Sequence, residues 1–192
     1  MHVLPQYTLV NELPYAVLWR QAGAPEHTRQ RLPPGRSCAV HQQRAALPLL
    51  ATFRPEETGW DWSGGFALQE PGAVLLKVRS RIGKPAEVVA ARGRAEPGTG
   101  AWTVSLRPHR DRFAPYRLDN CSKNPLGYYQ RNCEEAEEVL GPYSSVVYTW
   151  DEPRLPRQVR AAPLFSLFRS SYHDRMAAGA ETDRTPARRA PR

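Results

Sequence analysis

Residues 102–107 read Trp102-Thr103-Val104-Ser105-Leu106-Arg107 and alternate apolar with polar side chains. Because successive side chains of a β-strand point to opposite faces, this order puts Trp, Val and Leu on one face and Thr, Ser and Arg on the other. A period of two predicts a half-buried strand, and this stretch is the cleanest example in the chain.

Similar short runs recur along the chain and are separated by turn sequences such as Leu32-Pro33-Pro34-Gly35 and Pro97-Gly98-Thr99-Gly100. The 19 prolines in 192 residues argue against a helical bundle, since an interior proline breaks the helical hydrogen-bond ladder. Many short strands of this kind predict an antiparallel β-sandwich or barrel. The other predicted strands are Tyr7–Asn11, Ala16–Arg20, Ser37–Gln42, Leu49–Phe53, Phe66–Gln69, Val74–Arg79, Glu87–Ala91, Tyr116–Asn120, Gly127–Gln130 and Ser145–Trp150.

The sequence also repeats itself. Tyr7-Thr8-Leu9-Val10-Asn11 recurs as Tyr116-Arg117-Leu118-Asp119-Asn120, and Gln21 recurs as Gln130, both at an offset of 109 residues. The turn at residues 32–37 recurs at residues 140–145, at an offset of 108. We therefore predict one full β repeat over residues 1–107, the start of a truncated second repeat over residues 108–156, and a basic Pro/Arg-rich tail over residues 157–192.

Asn11 and Asn120 end an alternating run in both copies, although asparagine disfavours strands. The side-chain amide of such a residue can bond to the backbone of the following turn and replace partners that the chain loses on leaving the sheet. We interpret both residues as repeat-defining structural amides. A direct contact with a bound peptide is the alternative.

These stretches, together with Trp60-Asp61-Trp62-Ser63-Gly64-Gly65-Phe66, resemble the adaptor-binding repeats of the vacuolar-protein-sorting, chorein-type bridge-like lipid-transfer proteins. The most specific part runs from Pro115-Tyr116-Arg117-Leu118-Asp119-Asn120 through Tyr128-Tyr129-Gln130 to Tyr148-Thr149-Trp150-Asp151-Glu152-Pro153. The resemblance implies antiparallel β-sandwich-like modules, each with one characteristic asparagine, here Asn11 and Asn120. It covers roughly residues 5–157.

The resemblance also implies a function. The family's repeats dock Pro-x-Pro peptides of organelle adaptors and so recruit an intermembrane lipid-transfer protein to membrane contact sites, with family roles in protein targeting to the vacuole and Golgi retention. It implies a cytoplasmic chain, peripheral to organelle membranes at endosomal, Golgi, mitochondrial or other contact sites. Aromatic grooves bind preformed polyproline segments, so Tyr128, Tyr129, Tyr148 and Trp150 are candidates for the peptide groove, although core packing explains them equally well.

No catalytic, cofactor or metal site is predicted, and we expect a protein that is not an enzyme. Cys38 and His41 are three residues apart in a predicted strand, which puts their side chains on opposite faces. The carboxylates of residues 134–138 are predicted to form a solvated acidic loop, and Trp60 with Trp62 to pack at a sandwich edge. The three cysteines are an odd number without a CxxC pair, which favours reduced thiols.

The positive charge lies mainly at the end of the chain. Residues 154–192 carry 9 Lys and Arg against 3 Asp and Glu, whereas residues 1–153 carry 18 against 16. An alternative function is therefore binding of this tail to an anionic membrane or to nucleic acid by counterion release, although no specific nucleic acid is expected. We predict a short amphipathic helix over residues 164–179, disorder over residues 181–192, and no signal or membrane-spanning segment.

Overall fold

The computed structural model describes residues 5–109 and 116–163. Within these ranges the chain is all-β, with fourteen strands and two single-turn 3-10 helices. The predicted fold class is therefore confirmed. The strands are β1 (Tyr7–Asn11), β2 (Val17–Gln21), β3 (Gln30–Leu32), β4 (Ser37–Ala39), β5 (Leu50–Pro55), β6 (Phe66–Ala67), β7 (Gly72–Val78), β8 (Glu87–Ala95), β9 (Trp102–Pro108), β10 (Tyr116–Asn120), β11 (Leu126–Gln130), β12 (Glu138–Leu140), β13 (Ser144–Tyr148) and β14 (Val159–Pro163).

The first repeat is a sandwich of two sheets. One sheet has the order β4-β1-β9-β8-β7 and the other β3-β2-β5-β6. Neighbouring strands are antiparallel except β1 and β9, which run parallel with Leu9 opposite Val104. Both sheets contribute to one apolar core, which includes Leu9 and Leu106 from the first sheet and Trp19 and Phe53 from the second.

The second repeat has the same order of elements. Strands β10 to β14 correspond to β1 to β5 at offsets of 108 or 109, and a 3-10 helix follows the second strand in both copies, at Glu26–Thr28 and at Glu134–Ala136. The strand orders β12-β11-β14 and β10-β13 reproduce β3-β2-β5 and β1-β4. Among the described residues, β6 to β9 have no counterparts in the second repeat.

Three strands were not predicted. Strands β3 and β12 have three residues each, which is too short for an alternating pattern to show. Strand β14 lies beyond the predicted boundary at Pro156 and pairs with all five residues of β11. Its sequence, Val-Arg-Ala-Ala-Pro, contains neither aromatic residues nor a repeated β-branched residue, so its place in the sheet depends on pairing with β11.

The predicted helix over residues 164–179 and the predicted disorder over residues 181–192 lie outside the described residues. Within residues 5–109 and 116–163, no helix combines the length and the hydropathy needed to cross a lipid bilayer.

Candidate functional site

Asn11 and Asn120 make equivalent hydrogen bonds in the two repeats. The Nδ2 group of Asn11 donates to the carbonyl oxygens of Tyr15 and Leu32, both at 2.9 Å, and its Oδ1 accepts from the backbone N–H of Leu13 at 3.0 Å. These contacts join the end of β1 to the following turn and to the end of β3.

In the second repeat, the Nδ2 group of Asn120 donates to the carbonyl oxygens of Asn124 at 2.8 Å, Leu140 at 3.3 Å and Gly141 at 2.8 Å. Its Oδ1 accepts from the backbone N–H of Ser122 at 3.0 Å. Both asparagine side chains are buried and already have partners on both polar atoms. Their amides therefore bond to the backbone of the turn that follows β1 or β10 and to the end of β3 or β12.

Gln21 and Gln130 form a second pair of equivalent amides. Gln21 Nε2 donates to the carbonyl oxygen of Pro48 at 3.0 Å, and its Oε1 accepts from the N–H of Arg44 at 2.9 Å. Gln130 Nε2 donates to the carbonyl oxygen of Glu152 at 2.8 Å, and its Oε1 accepts from the N–H of the same residue at 2.9 Å. The sequence repeat identified Gln21 and Gln130 as equivalent residues. It did not indicate that their side chains anchor a distant loop.

An ionic network joins the two repeats. Lys77 Nζ lies 2.7 Å from Glu138 Oε1, and Arg79 Nη1 lies 2.6 Å from the same oxygen. Arg79 Nε lies 2.7 Å from Asp151 Oδ1. The predicted solvated loop over residues 134–138 is therefore wrong at its last residue, because β12 carries Glu138 into this network.

Burial alone would raise the pKa of Glu138, but hydrogen bonds from Lys77 and Tyr128 and the charge of Arg79 hold it below its ordinary value. Burial, and then the hydrogen bond to Glu138, raise the pKa of Tyr128 well above its ordinary value. The carboxylate is thus kept ionised between two cations of the first repeat, which makes the network a structural connection between repeats.

The backbones of the two repeats also meet closely. The backbone N–H of Gly65 donates to Glu152 Oε2 at 2.9 Å. A Cβ on Gly64 would lie 2.5 Å from the carbonyl oxygen of Asp151 and 2.7 Å from Cδ of Pro153, which is closer than side-chain atoms can approach. The absence of a side chain at Gly64 therefore allows the loop after β13 to reach the first repeat.

A cleft of about 580 Å³ opens beside this contact, between the two repeats. The second repeat lines it with the ring of Tyr116 and with Thr149 and Trp150, and the first repeat with Phe66 and Pro71. The rings of Tyr116 and Trp150 meet edge to face, with centroids 5.2 Å apart. Its volume lies in the range of sites that bind small molecules or short peptide segments.

Two polar atoms beside the cleft are buried and have no hydrogen-bond partner within residues 5–109 and 116–163. They are Thr149 Oγ1 and Trp150 Nε1, and Thr149 is 3% exposed. A buried polar atom without a partner costs free energy, and each of these two atoms is closed off from solvent as well as unpaired among the described residues. Arg154 and Arg157 are exposed and add positive charge to the same cleft.

The four predicted groove residues do not form one surface. Tyr128 and Tyr148 are 4% and 2% exposed and pack in the core of the second repeat. Tyr129 is half-buried on β11 and does not line the cleft, whereas Trp150 does. The structure instead joins Trp150 with Tyr116, whose sequence signal was its place in the repeated strand.

The predicted edge tryptophans differ in their surroundings. Trp60 is 6% exposed and packs in the first core. Trp62 is half-buried and lies beneath two guanidinium groups, with Cζ of Arg20 4.3 Å and Cζ of Arg54 5.3 Å from its ring centroid. Both tryptophan rings are therefore engaged in contacts within the protein, Trp60 with the core and Trp62 with the two guanidinium groups.

The chain is thus an all-β protein with a sandwich-like first unit, a second unit that repeats five of its strands, and an aromatic cleft between them. The model of the family described as "Vacuolar-sorting associated protein 13, adaptor binding domain" matches residues 1–157. The chain belongs to this family of adaptor-binding domains.

Individual relatives agree with this assignment. The chain is 24% identical over 151 residues to intermembrane lipid transfer protein vps13D of Dictyostelium discoideum, and 30% identical over 129 residues to intermembrane lipid transfer protein VPS13D of Homo sapiens. These alignments cover 77% and 64% of this chain but 3% of each relative. Intermembrane lipid transfer protein vps13A of Dictyostelium discoideum is 22% identical over 130 residues, covering 64% of this chain and 4% of the relative.

Proposed function

We propose that this chain docks proline-containing segments of adaptor proteins, of the Pro-x-Pro type, in the cleft between its two repeats. The observation that carries the proposal is the aromatic pair of Tyr116 and Trp150, which lines the cleft beside the exposed residues Arg154 and Arg157. Membership of an adaptor-binding family supports a binding role, and we propose that the chain is not an enzyme.

The chemistry of the cleft suits a polyproline II segment. Such a segment has no internal hydrogen bonds, so its carbonyl oxygens are available to donors on the partner. Proline rings can lie against Tyr116 and Trp150, while carbonyl oxygens of the segment accept hydrogen bonds from the exposed guanidinium groups of Arg154 and Arg157.

The positive charge at the cleft favours acidic residues next to the prolines of the bound segment. Arg154 and Arg157 are exposed there, and Glu70 lies 3.3 Å from Arg154 in an exposed ion pair. An exposed pair of this kind contributes little stability and exchanges partners easily. We therefore propose that acidic residues beside the prolines strengthen binding.

The relatives are intermembrane lipid transfer proteins by name. We propose that this chain serves the same process by recruiting such a protein to membrane contact sites through adaptors on organelles, with protein targeting to the vacuole and Golgi retention as the resulting roles. We place it at the cytoplasmic side of endosomal, Golgi, mitochondrial or other contact sites.

The proposal is tested by fluorescence anisotropy with a labelled Pro-x-Pro peptide that carries acidic flanking residues, titrated with the full chain. We expect saturable binding that Trp150→Phe weakens about threefold or more, since the smaller phenyl ring offers a proline less aromatic surface. Tyr116→Ala, which removes a 39% exposed ring, should also weaken it. The matched control Tyr129→Ala should bind like the wild type, because Tyr129 lies outside the cleft.

Two results would contradict the proposal. The first is an absence of saturable binding up to roughly millimolar peptide, the weakest range expected for a specific interaction. The second is binding that Tyr129→Ala weakens and Trp150→Phe does not, which would move the groove to the opposite side of β11.

A second candidate function rests on the excess of six positive charges in residues 154–192. We propose that this tail binds phosphate groups of an anionic membrane or of nucleic acid, with no specific nucleic acid sequence. Deleting residues 164–192 keeps β14 and its pairing with β11, removes half of that excess charge, and should strongly reduce retention on vesicles that contain phosphatidylserine. Retention that survives both this deletion and raised salt concentration would exclude the idea.

A further inference from the structure

Strand β1 has neighbours on both sides, whereas its counterpart β10 has one. In the first repeat β1 lies between β4 and β9. In the second repeat β10 pairs with β13, the counterpart of β4, and no other described strand lies on its second edge. The position that β9 takes in the first repeat thus has no described occupant in the second.

The first repeat identifies the backbone groups at this edge. The carbonyl oxygen of Gln6 accepts from the N–H of Trp102 at 2.8 Å, and the N–H of Glu12 donates to the carbonyl oxygen of Leu106 at 2.9 Å. The backbone N–H and C=O groups of even-numbered residues in and next to β1 therefore point toward β9. At the offset of 109, the corresponding residues are Arg117, Asp119 and Cys121.

The inward side chains of β1 and β10 also differ in their burial. In β1 the inward residues Tyr7 and Leu9 are 8% and 0% exposed. Their counterparts in β10 are Tyr116, which is 39% exposed, and Leu118, which is half-buried against the second core. The apolar face that β9 helps to cover in the first repeat is therefore partly uncovered in the second.

We propose that the outer edge of β10 binds an extended polypeptide segment that runs parallel to β10 and takes the place that β9 takes beside β1. The partner chemistry follows from β9, in which Trp102, Val104 and Leu106 alternate with polar residues and the last two are 1% and 0% exposed. The segment therefore carries apolar side chains at its first, third and fifth positions. The hydrogen bonds of this interface go to backbone groups of Arg117, Asp119 and Cys121, whereas the apolar side chains of the segment would lie beside Tyr116, which also lines the aromatic cleft.

A peptide with the sequence of residues 101–108, which contains β9, is the probe. It is added to the full isotope-labelled chain, and backbone amide shifts are followed by NMR. We expect saturable shifts at Arg117, Asp119 and Cys121. Shifts confined to Thr8 and Val10 would mean exchange with the resident β9, and would overturn the proposal.

Two N-methylated peptides give a matched comparison. In the first repeat the backbone N–H of Trp102 points toward β1. Because backbone groups alternate along a strand, the N–H of Val104 also points toward β1, and the N–H of Thr103 points toward β8. Methylating the nitrogen of Val104 should therefore weaken binding about tenfold or more, and methylating that of Thr103 should leave it unchanged. Equal binding of the two peptides, or no binding of the unmodified one, would refute the proposal.

Discussion

Arg79 Nε lies 2.7 Å from Asp151 Oδ1, so that a guanidinium of the first repeat faces a carboxylate of the second. The side chains are 22% and 11% exposed, and the same guanidinium also contacts Glu138. Partly buried pairs of this kind hold two bodies in one orientation, because removing either partner leaves a charge without compensation. The seam beside the aromatic cleft is therefore fixed by specific polar contacts.

Because of Glu138, the free energy of unfolding of the protein should depend on pH. Its pKa is lowered in the folded protein from the ordinary value of 4.5, so its stabilising effect is present above that value and is lost as pH falls through the folded pKa. We expect Glu138→Gln to cost about 1–3 kcal/mol at neutral pH and to reduce the acid-induced loss of stability below about pH 5. Urea unfolding at several pH values measures both.

Glu137→Gln is the matched control, since Glu137 is an exposed neighbour in the same segment. It should leave both the stability at neutral pH and its decline in acid close to those of the wild type. An identical pH profile for Glu138→Gln and the wild type would show that the network does not depend on this carboxylate.

Asn120→Ala should destabilise the protein by about 1–3 kcal/mol, because carbonyl groups at the end of β12 and in the turn after β10 lose a buried partner. Asn11→Ala should have a similar cost for the same reason. Chemical denaturation is the measurement, and Asn124→Ala is the control, since Asn124 contributes its backbone oxygen. Unchanged stability of Asn120→Ala would contradict its role in closing the turn.

Gly64→Ala tests the close approach of the repeats. The added Cβ would meet backbone atoms of Asp151 and the ring of Pro153, so we expect a loss of about 1–3 kcal/mol and faster proteolysis near residues 150–156. Gly65→Ala is the matched control, since a Cβ there would lie 3.5 Å or more from its nearest neighbours. Equal stability of the two variants would show that the seam can open without cost.

The three free cysteines should differ in reactivity. Burial, and then the negative charges of Asp151 and Glu135, raise the pKa of Cys133 to about 11, and burial also raises the pKa of Cys38. Cys121 is exposed and should react first with iodoacetamide at pH 8, while Cys133 should react about a hundredfold more slowly. Mass spectrometry of the labelled peptides measures this order, and fast labelling of Cys133 in the folded chain would contradict its burial.

Local pattern predicted most of the strands, because alternation reports which face of a strand is buried. Residues 102–107 lie within β9, and the predicted bounds of β1 and β10 agree with the structure. Strands β3 and β12 were missed since three residues contain too little alternation to detect. Strand β14 was missed because its pairing with β11, and not its own residues, makes it a strand.

The candidate site was less predictable. Tyr128, Tyr129, Tyr148 and Trp150 are all aromatic, and sequence does not separate core aromatics from exposed ones. The strand order buries Tyr128 and Tyr148 and leaves Trp150 beside Tyr116, which lies 34 residues earlier in the chain. Glu138 was assigned to solvent because its partners, Lys77 and Arg79, are about 60 residues away.

By itself the sequence indicated most of the strands and a strand-and-turn pattern that recurs after 108 or 109 residues, since strand periodicity and turn residues each depend on a few neighbouring residues. The tertiary structure alone decided how the copies meet, which aromatic rings reach a cleft and which strand edge stays without a described neighbour. Those properties depend on contacts between residues far apart in the chain, and such contacts are set by how whole sheets pack and pair.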